Sequence, residues 1–172
     1  MIEPQFVSVS LKTRRRRAAL RPLWRAYLCH IFDIAKPLKW RQRRTMNEEL
    51  DKRLKDVNPD DYFFEILYLG RKAVGFYNCS VDGFYLSEIL KVSGCGYVQE
   101  FYIDPAYRRQ GLGRLMFARV QNILRPKLTL PQIYGTPADD NARSFWKALG
   151  WADTGKKNQS GSSIWVYETH NL

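Results

Sequence analysis

The 172-residue chain is 45% hydrophobic, 14% aromatic and 26% charged, which excludes a mainly disordered state and leaves room for one domain of ordinary size, residues 1–172. Its 28 Lys and Arg against 17 Asp and Glu give a net charge of +11. The excess is uneven, because residues 1–57 carry 15 basic and 6 acidic side chains and the remainder carries 13 and 11.

Phe6–Leu11 alternates apolar and polar residues, the period-2 signature of a half-buried strand. Arg14–Arg17 then lead into Leu20, Leu23, Trp24, Tyr27, Leu28 and Ile31, whose three- and four-residue steps predict a helix. A second helix is expected over Met46–Leu54 with Thr45 or Asn47 as its cap, and Lys36–Arg44 reads as a basic loop between the two. Tyr62–Leu69 and Lys72–Ser80, separated by Gly70-Arg71, read as an antiparallel hairpin. Phe84–Val92 either extends that hairpin or forms a flap. Gly96–Ile103 is the next strand, ended by Asp104-Pro105.

A helix over Gly111–Leu124 follows, with Leu112, Leu115, Met116, Val120 and Ile123 on or near one face and Pro126 as its stop. Gln132–Thr136 is a short strand. Asn141–Leu149 is a helix preceded by carboxylate caps and ended by Gly150. Two closing strands flank a turn over Gly155–Gly161, the second being Ile164–Glu168. The expected order is β, α, α, β, β, β, α, β, α, β, β, a mixed α/β domain.

Cys29, Cys79 and Cys95 form no C-x-x-C pair, so they predict reduced cytoplasmic thiols rather than a disulfide framework. With His30 and His170 as the only histidines, no zinc-type spacing arises and no metal is expected. Met1–Gln5 lacks the charged and apolar regions of a signal peptide, and Leu23–Ala35 is broken by Arg25, His30 and Asp33, so neither export nor membrane association is expected.

The segment with chemical content is Arg108-Arg109-Gln110-Gly111-Leu112-Gly113, between a strand and an amphipathic helix. Glycines there let the backbone approach a ligand, and the first helical turn points unpaired N–H groups outward. The helix dipole and the guanidiniums of Arg108, Arg109 and Arg114 favour a phosphate or diphosphate. An ATP-type loop, G-x-x-x-x-G-K-S/T, is absent, and a dinucleotide G-x-G-x-x-G fails because Met116 occupies the third glycine position.

The same segment resembles the GNAT superfamily of N-acetyltransferases, whose signature Arg/Gln-x-x-Gly-x-Gly/Ala follows a strand ending in a β-branched residue, any residue and proline, here Ile103-Asp104-Pro105. Asn141, Phe145, Trp146, Leu149, Gly150 and Trp151 match a second feature of the family, an Asn and a hydrophobic helix followed by Gly and an aromatic. The resemblance runs from Phe6 to Glu168. It implies a central, mostly antiparallel twisted sheet with splayed middle strands flanked by helices, and acetyl-CoA as cosubstrate in the gap.

Carried onto these positions, the resemblance gives the backbone of Phe101, Tyr102 and Ile103 to the pantetheine and acetyl carbonyl. It gives Arg108, Arg109, Gln110, Gly111, Leu112, Gly113 and Arg114 to the diphosphate, and Asn141 and Trp146 to the lining of the CoA arm. The acceptor is then a primary amine on a small molecule or peptide, which is mostly protonated at neutral pH because its pKa is near 10.4. Glu100, at the end of the strand beside the thioester, is the candidate general base. Alternation puts it on one face with Val98 and Tyr102 and puts Gln99, Phe101 and Ile103 on the other. Which face meets the acceptor decides between a catalytic and a structural carboxylate.

Many members of the family carry a tyrosine where this chain has Trp146. An indole N–H cannot deliver a proton in this pH range, so the CoA thiolate takes its proton from water, Tyr134 or another group, or needs no protein acid. Phe145, Trp146 and Leu149 at helical spacing read as core rather than chemistry. A CoA-binding or nucleic-acid-binding module without turnover is therefore the alternative to an enzyme. The basic residues over 12–44 suit an anionic partner as well as a solvated surface, and a homodimer is open because dimers are common in the family.

Overall fold

The computed structural model describes residues 3–58, 60–83 and 86–169. The chain forms β1 (Pro4–Ser8), α1 (Arg14–Ile31), α2 (Trp40–Lys55), β2 (Tyr62–Leu69), β3 (Lys72–Val81), α3 (Leu86–Ile89), β4 (Gly96–Ile103), α4 (Leu112–Leu124), β5 (Gln132–Gly135), α5 (Asp140–Ala148), β6 (Ala152–Lys157) and β7 (Ser163–Glu168). The strands make one seven-stranded sheet in the order β1-β2-β3-β4-β5-β7-β6. β1 runs antiparallel to β2, and β7 runs antiparallel to both β5 and β6, while β4 and β5 are parallel. This is the mixed α/β architecture with a mostly antiparallel sheet that the sequence predicts.

Several boundaries move for identifiable reasons. β1 ends at Ser8 rather than Leu11; Ser10 and Thr13 tie the chain into a turn, with the Ser10 N–H donating to Thr13 Oγ1 at 3.0 Å and that hydroxyl donating to Ser10 O at 2.9 Å. α1 takes in the whole arginine run, as suits a residue of high helix propensity.

The expected loop over Lys36–Arg44 is a loop only to Lys39, since α2 starts at Trp40 rather than Met46. Gln42 Oε1 accepts from the Lys39 N–H at 2.8 Å and satisfies one orphan donor there, in place of Thr45 or Asn47. Of the expected extension or flap over Phe84–Val92, residues 84 and 85 lie outside the described residues, and Leu86–Ile89 is a short helix. Gly155 falls inside β6, at a register shift between Asp153 and Lys157, with φ at +72°. That glycine serves a bulge, not a turn. The turn is Asn158–Ser162, where Asn158 Oδ1 accepts from the Ser160 and Ser162 N–H groups at 3.0 and 2.9 Å.

Two compact bodies carry the cores, one from the segments up to Asn78 and from Glu100 to Gly113, the other from Cys79 to Gln99 and from Arg114 onward. In the first, Leu20, Leu23 and Trp24 of α1 and Met46, Leu50 and Leu54 of α2 close over Phe64, Ile66, Phe76 and Tyr102. Trp24 anchors it, its ring 5.9 Å from Phe76 and 6.5 Å from Phe64 while its indole N–H donates to Met46 O at 2.8 Å. In the second, Phe117 of α4 meets Trp146, Trp151 and Tyr167 at 5.4, 5.5 and 5.0 Å, and Cys95, Tyr97, Tyr134 and Ile164 form another cluster. The buried stripe of α4 is Met116, Phe117, Val120 and Leu124, with Leu112 at its head. Leu115, expected on that face, is exposed, and Ile123 is half-buried. No helix among the described residues is long and apolar enough to cross a membrane.

Candidate active site

β4 leads straight into the glycine segment. Its recorded pairs with β5 are Gly96, Tyr97 and Val98 against Ile133, Tyr134 and Gly135, and β4 runs on through Gln99–Ile103 beyond the last of them. Past Ile103 a short 3-10 turn, Pro105–Tyr107, is capped by the Asp104 carboxylate, which accepts from the Ala106 N–H at 3.0 Å. Positive φ angles then alternate, at +63° for Arg109 and +78° for Gly111. A left-handed arginine is uncommon, and such strain concentrates at ligand clamps. This alternation builds the concave backbone that favours anions, opening onto the first turn of α4, where the amides of Leu112, Gly113 and Arg114 have no intrahelical acceptor.

A Cβ added at Gly111 would meet no heavy atom within 4 Å. The turn is therefore open, and its glycine is required by backbone angle rather than by crowding. Arg108, Arg109, Gln110, Gly111 and Arg114 are exposed, Gly113 is half-buried and Leu112 is buried. Arg108 is tied to the strand end through one nitrogen: its Nε donates to Ile103 O at 2.9 Å and its guanidinium lies 5.6 Å from the Tyr102 ring centroid. It fastens the turn to the end of β4, and Arg108, Arg109 and Arg114 are all exposed cations. The residues fit a diphosphate.

Glu100 is only 5% exposed. Together with Tyr102 it takes the face covered by α1, whose Tyr27 ring meets Tyr102 edge-on at 5.9 Å, while Gln99 and Phe101 on the opposite face are half-buried. Glu100 Oε1 lies 3.1 Å from Arg53 Nη2, the Glu100 N–H donates to Asn78 Oδ1 at 2.8 Å, and Asn78 Nδ2 donates to the Tyr62 hydroxyl at 2.9 Å. Glu100 Oε2 has no hydrogen-bond partner among the described residues. Burial pushes the carboxyl above the usual range, and the half-exposed Arg53 guanidinium pulls it back. Burial first, then the Glu100 charge, raises the phenols of Tyr27 and Tyr62.

Sequence reasoning found Glu100 but not Arg53, Asn78, Tyr62 or Tyr27, which come from four other elements. It also missed Gly75, where an added Cβ would lie 2.8 Å from Tyr102 O, so that β3 and the end of β4 approach closely.

The two remaining candidates, Asn141 and Trp146, belong to the second body. Asn141 is exposed in the first turn of α5, behind the Asp139 cap, whose Oδ1 accepts from the Ala142 N–H at 2.7 Å. Trp146 is buried, with ring centroids 4.9 Å from Phe145 and 4.6 Å from Trp151. The Tyr134 hydroxyl donates to Gln132 Oε1 at 2.6 Å. All three cysteines are free and buried. Among the described residues no His, Cys, Asp and Glu side chains gather into a group able to hold a metal ion.

A sequence profile described as the acetyltransferase (GNAT) family matches residues 23–151. The chain belongs to that family. Solved structures agree in fold. An acetyltransferase of Thermus thermophilus is 15% identical with a TM-score of 0.70, covering 96% of each chain. The PaiA N-acetyltransferase of Thermoplasma acidophilum, solved in complex with coenzyme A, is 11% identical with a TM-score of 0.68, covering 96% of this GNAT chain and 99% of its own. A GNAT-family acetyltransferase of Staphylococcus aureus is 11% identical with a TM-score of 0.67, covering 98% and 100%. No curated protein sequence matches the chain.

Proposed function

We propose that this GNAT protein is an acetyl-CoA-dependent N-acetyltransferase in which a primary amine attacks the bound thioester directly. The observation that carries the reading is the open turn at Arg109 and Gly111, with its alternating left-handed angles at the head of α4. Arg109, Arg114 and the amides of Gly111, Leu112 and Gly113 hold the diphosphate, where charge-assisted hydrogen bonds are strongest. Arg108 sets the height of that turn against Ile103. The backbone of Phe101, Tyr102 and Ile103 orients the pantetheine arm, and an N–H aimed at the thioester oxygen stabilises the charge that develops there by a few kcal/mol. Acetyl-CoA supplies the activated acyl group.

Glu100 takes the proton from the ammonium, directly or through water. A base contributes about 10²- to 10⁴-fold when its pKa lies near the working pH, and burial moves Glu100 in that direction. Arg53 keeps enough of the carboxylate ionised to accept a proton. The CoA thiolate is protonated by solvent, since Trp146 has no acidic proton and the Tyr134 hydroxyl is engaged with Gln132. The protein works in the cytoplasm.

The deciding experiment incubates the protein and acetyl-CoA with a panel of small amines and peptides and measures free thiol. Thiol released only when an amine is added supports the enzyme. CoA binding without amine-dependent release would leave a binding module on the same fold.

A further inference from the structure

We propose that α1, the α1–α2 connection and the first turn of α2 form a binding surface for single-stranded nucleic acid, separate from the glycine turn. Residues 12–44 contain twelve Lys and Arg and a single acidic side chain, Asp33. Lys12, Arg14, Arg15, Arg16, Lys36, Lys39, Arg41, Arg43 and Arg44 are exposed.

Internal pairing consumes little of this charge. Asp51 lies 3.7 Å from Arg17 and 3.5 Å from Arg21, and Glu48 holds Arg44 at 2.8 Å. Arg14, Arg15, Lys36 and Arg41 have no ion-pair partner among the described residues. α1 itself contains no acidic residue, and its arginines from Arg14 to Arg25 extend the cationic strip over about 17 Å.

Charge alone would suit any polyanion, and the aromatic rings narrow the choice. The fold buries Trp24, Phe64 and Phe76 beside this strip, yet leaves Phe32 67% and Trp40 65% exposed at the two ends of the α1–α2 connection. The Arg44 guanidinium sits 5.8 Å from the Trp40 ring centroid. Exposed rings among solvent-facing cations are the arrangement on which unpaired bases stack while neighbouring guanidiniums hold phosphates. An acidic polypeptide has the charge but no bases for the rings. Nine of the twelve cations are arginine, the side chain suited to bidentate phosphate contact. The surface leaves Glu100 and the glycine turn out and so does not depend on the acetyl-transfer reading.

The test is fluorescence anisotropy with labelled oligouridylate and oligodeoxythymidylate of about 20 nucleotides, in saturating CoA so that the glycine turn is blocked. Both oligonucleotides should bind at about 150 mM salt, and a preference for the uridylate would name RNA as the partner. Combining Arg14→Ala, Arg15→Ala and Arg41→Ala should reduce the slope of log affinity against log salt by about 2, since each lost contact to single strands removes about 0.7. Trp40→Ala should weaken binding about 5- to 100-fold with its melting temperature unchanged. The proposal is overturned by no binding at that salt, by unchanged affinity in Trp40→Ala, or by polyglutamate displacing the label as well as unlabelled oligonucleotide does. The last result would mark a site for acidic polypeptides.

Discussion

Two glycines offer a matched test of the diphosphate assignment. Gly111 has φ at +78° and Gly161 has φ at +83°, and an added Cβ meets nothing within 4 Å at either. Alanine at each position pays the left-handed penalty of about 1–2 kcal/mol, partly offset by the lower unfolded-state entropy that removing glycine gives, about 0.4–1 kcal/mol. Each variant should therefore lose about 1 kcal/mol, or about 2–4 °C in melting temperature for a chain of this length. The two diverge in ligand binding. At Gly111 the methyl occupies the space a diphosphate would use and displaces at least one charge-assisted hydrogen bond, worth about 1.5–3 kcal/mol. Calorimetric titration with CoA should show affinity about 10- to 100-fold weaker for Gly111→Ala and unchanged for Gly161→Ala. Equal affinities with equal melting shifts would refute the assignment, because the control subtracts the backbone cost.

Glu100→Gln should reduce kcat/KM by about 10²- to 10⁴-fold and abolish its acid limb. Because burial raises the carboxyl in the folded state, the native protein binds this proton more tightly than the unfolded chain and loses stability as pH rises from the ordinary glutamate range, near 4.3, through the raised value. The variant should accordingly gain melting temperature over the parent at pH 8 and not at pH 4, and a gap that ignores pH would contradict the burial argument. Arg53→Ala removes the counter-charge 3.1 Å from Oε1 and should move the acid limb to higher pH, with Arg53→Lys restoring part of the shift. An unmoved limb would sever Arg53 from the chemistry. Gly75→Ala forces a methyl to 2.8 Å from Tyr102 O; overpacking of this kind costs about 1–3 kcal/mol, and kcat/KM should fall as the end of β4 shifts. Retained kcat/KM in a destabilised Gly75→Ala would show that the backbone of Tyr102 and Ile103 does not orient the thioester.

The parts of the fold legible in the sequence are those specified locally. β2, β3 and β4 have strong runs of β-forming residues bounded by glycine or proline, and their predicted limits match the structure to within a residue. The α1–α2 region was harder because arginine-rich sequence has helix propensity but no apolar period. Trp40–Arg44 extends α2 on propensity and on one cap from Gln42, a signal that resembles a basic loop when only hydrophobic spacing is read. Gly155 misled for the opposite reason. A positive φ is required at turns and at bulges alike, and only the register of β6 against β7 separates them.

The same division runs through the site. The glycine turn is a contiguous motif, so its position, its left-handed glycine and its cations could all be read from one stretch of chain. Glu100 could be named but not weighed, because its chemistry depends on Arg53 from α2, Asn78 from β3 and Tyr62 from β2, residues 22 to 47 positions away whose convergence no periodicity encodes. Of the face that alternation gives to Val98, Glu100 and Tyr102 all three are buried, while on the other Gln99 and Phe101 are half-buried and Ile103 is buried. What alternation could not supply is the sign of the resulting effect. A buried carboxylate with one oxygen paired to a half-exposed arginine and the other unpartnered is pulled both ways. Desolvation wins over the ion pair because Arg53 keeps half its side chain in water, where its charge is screened. That balance leaves the Glu100 carboxyl holding its proton to higher pH than an exposed glutamate would.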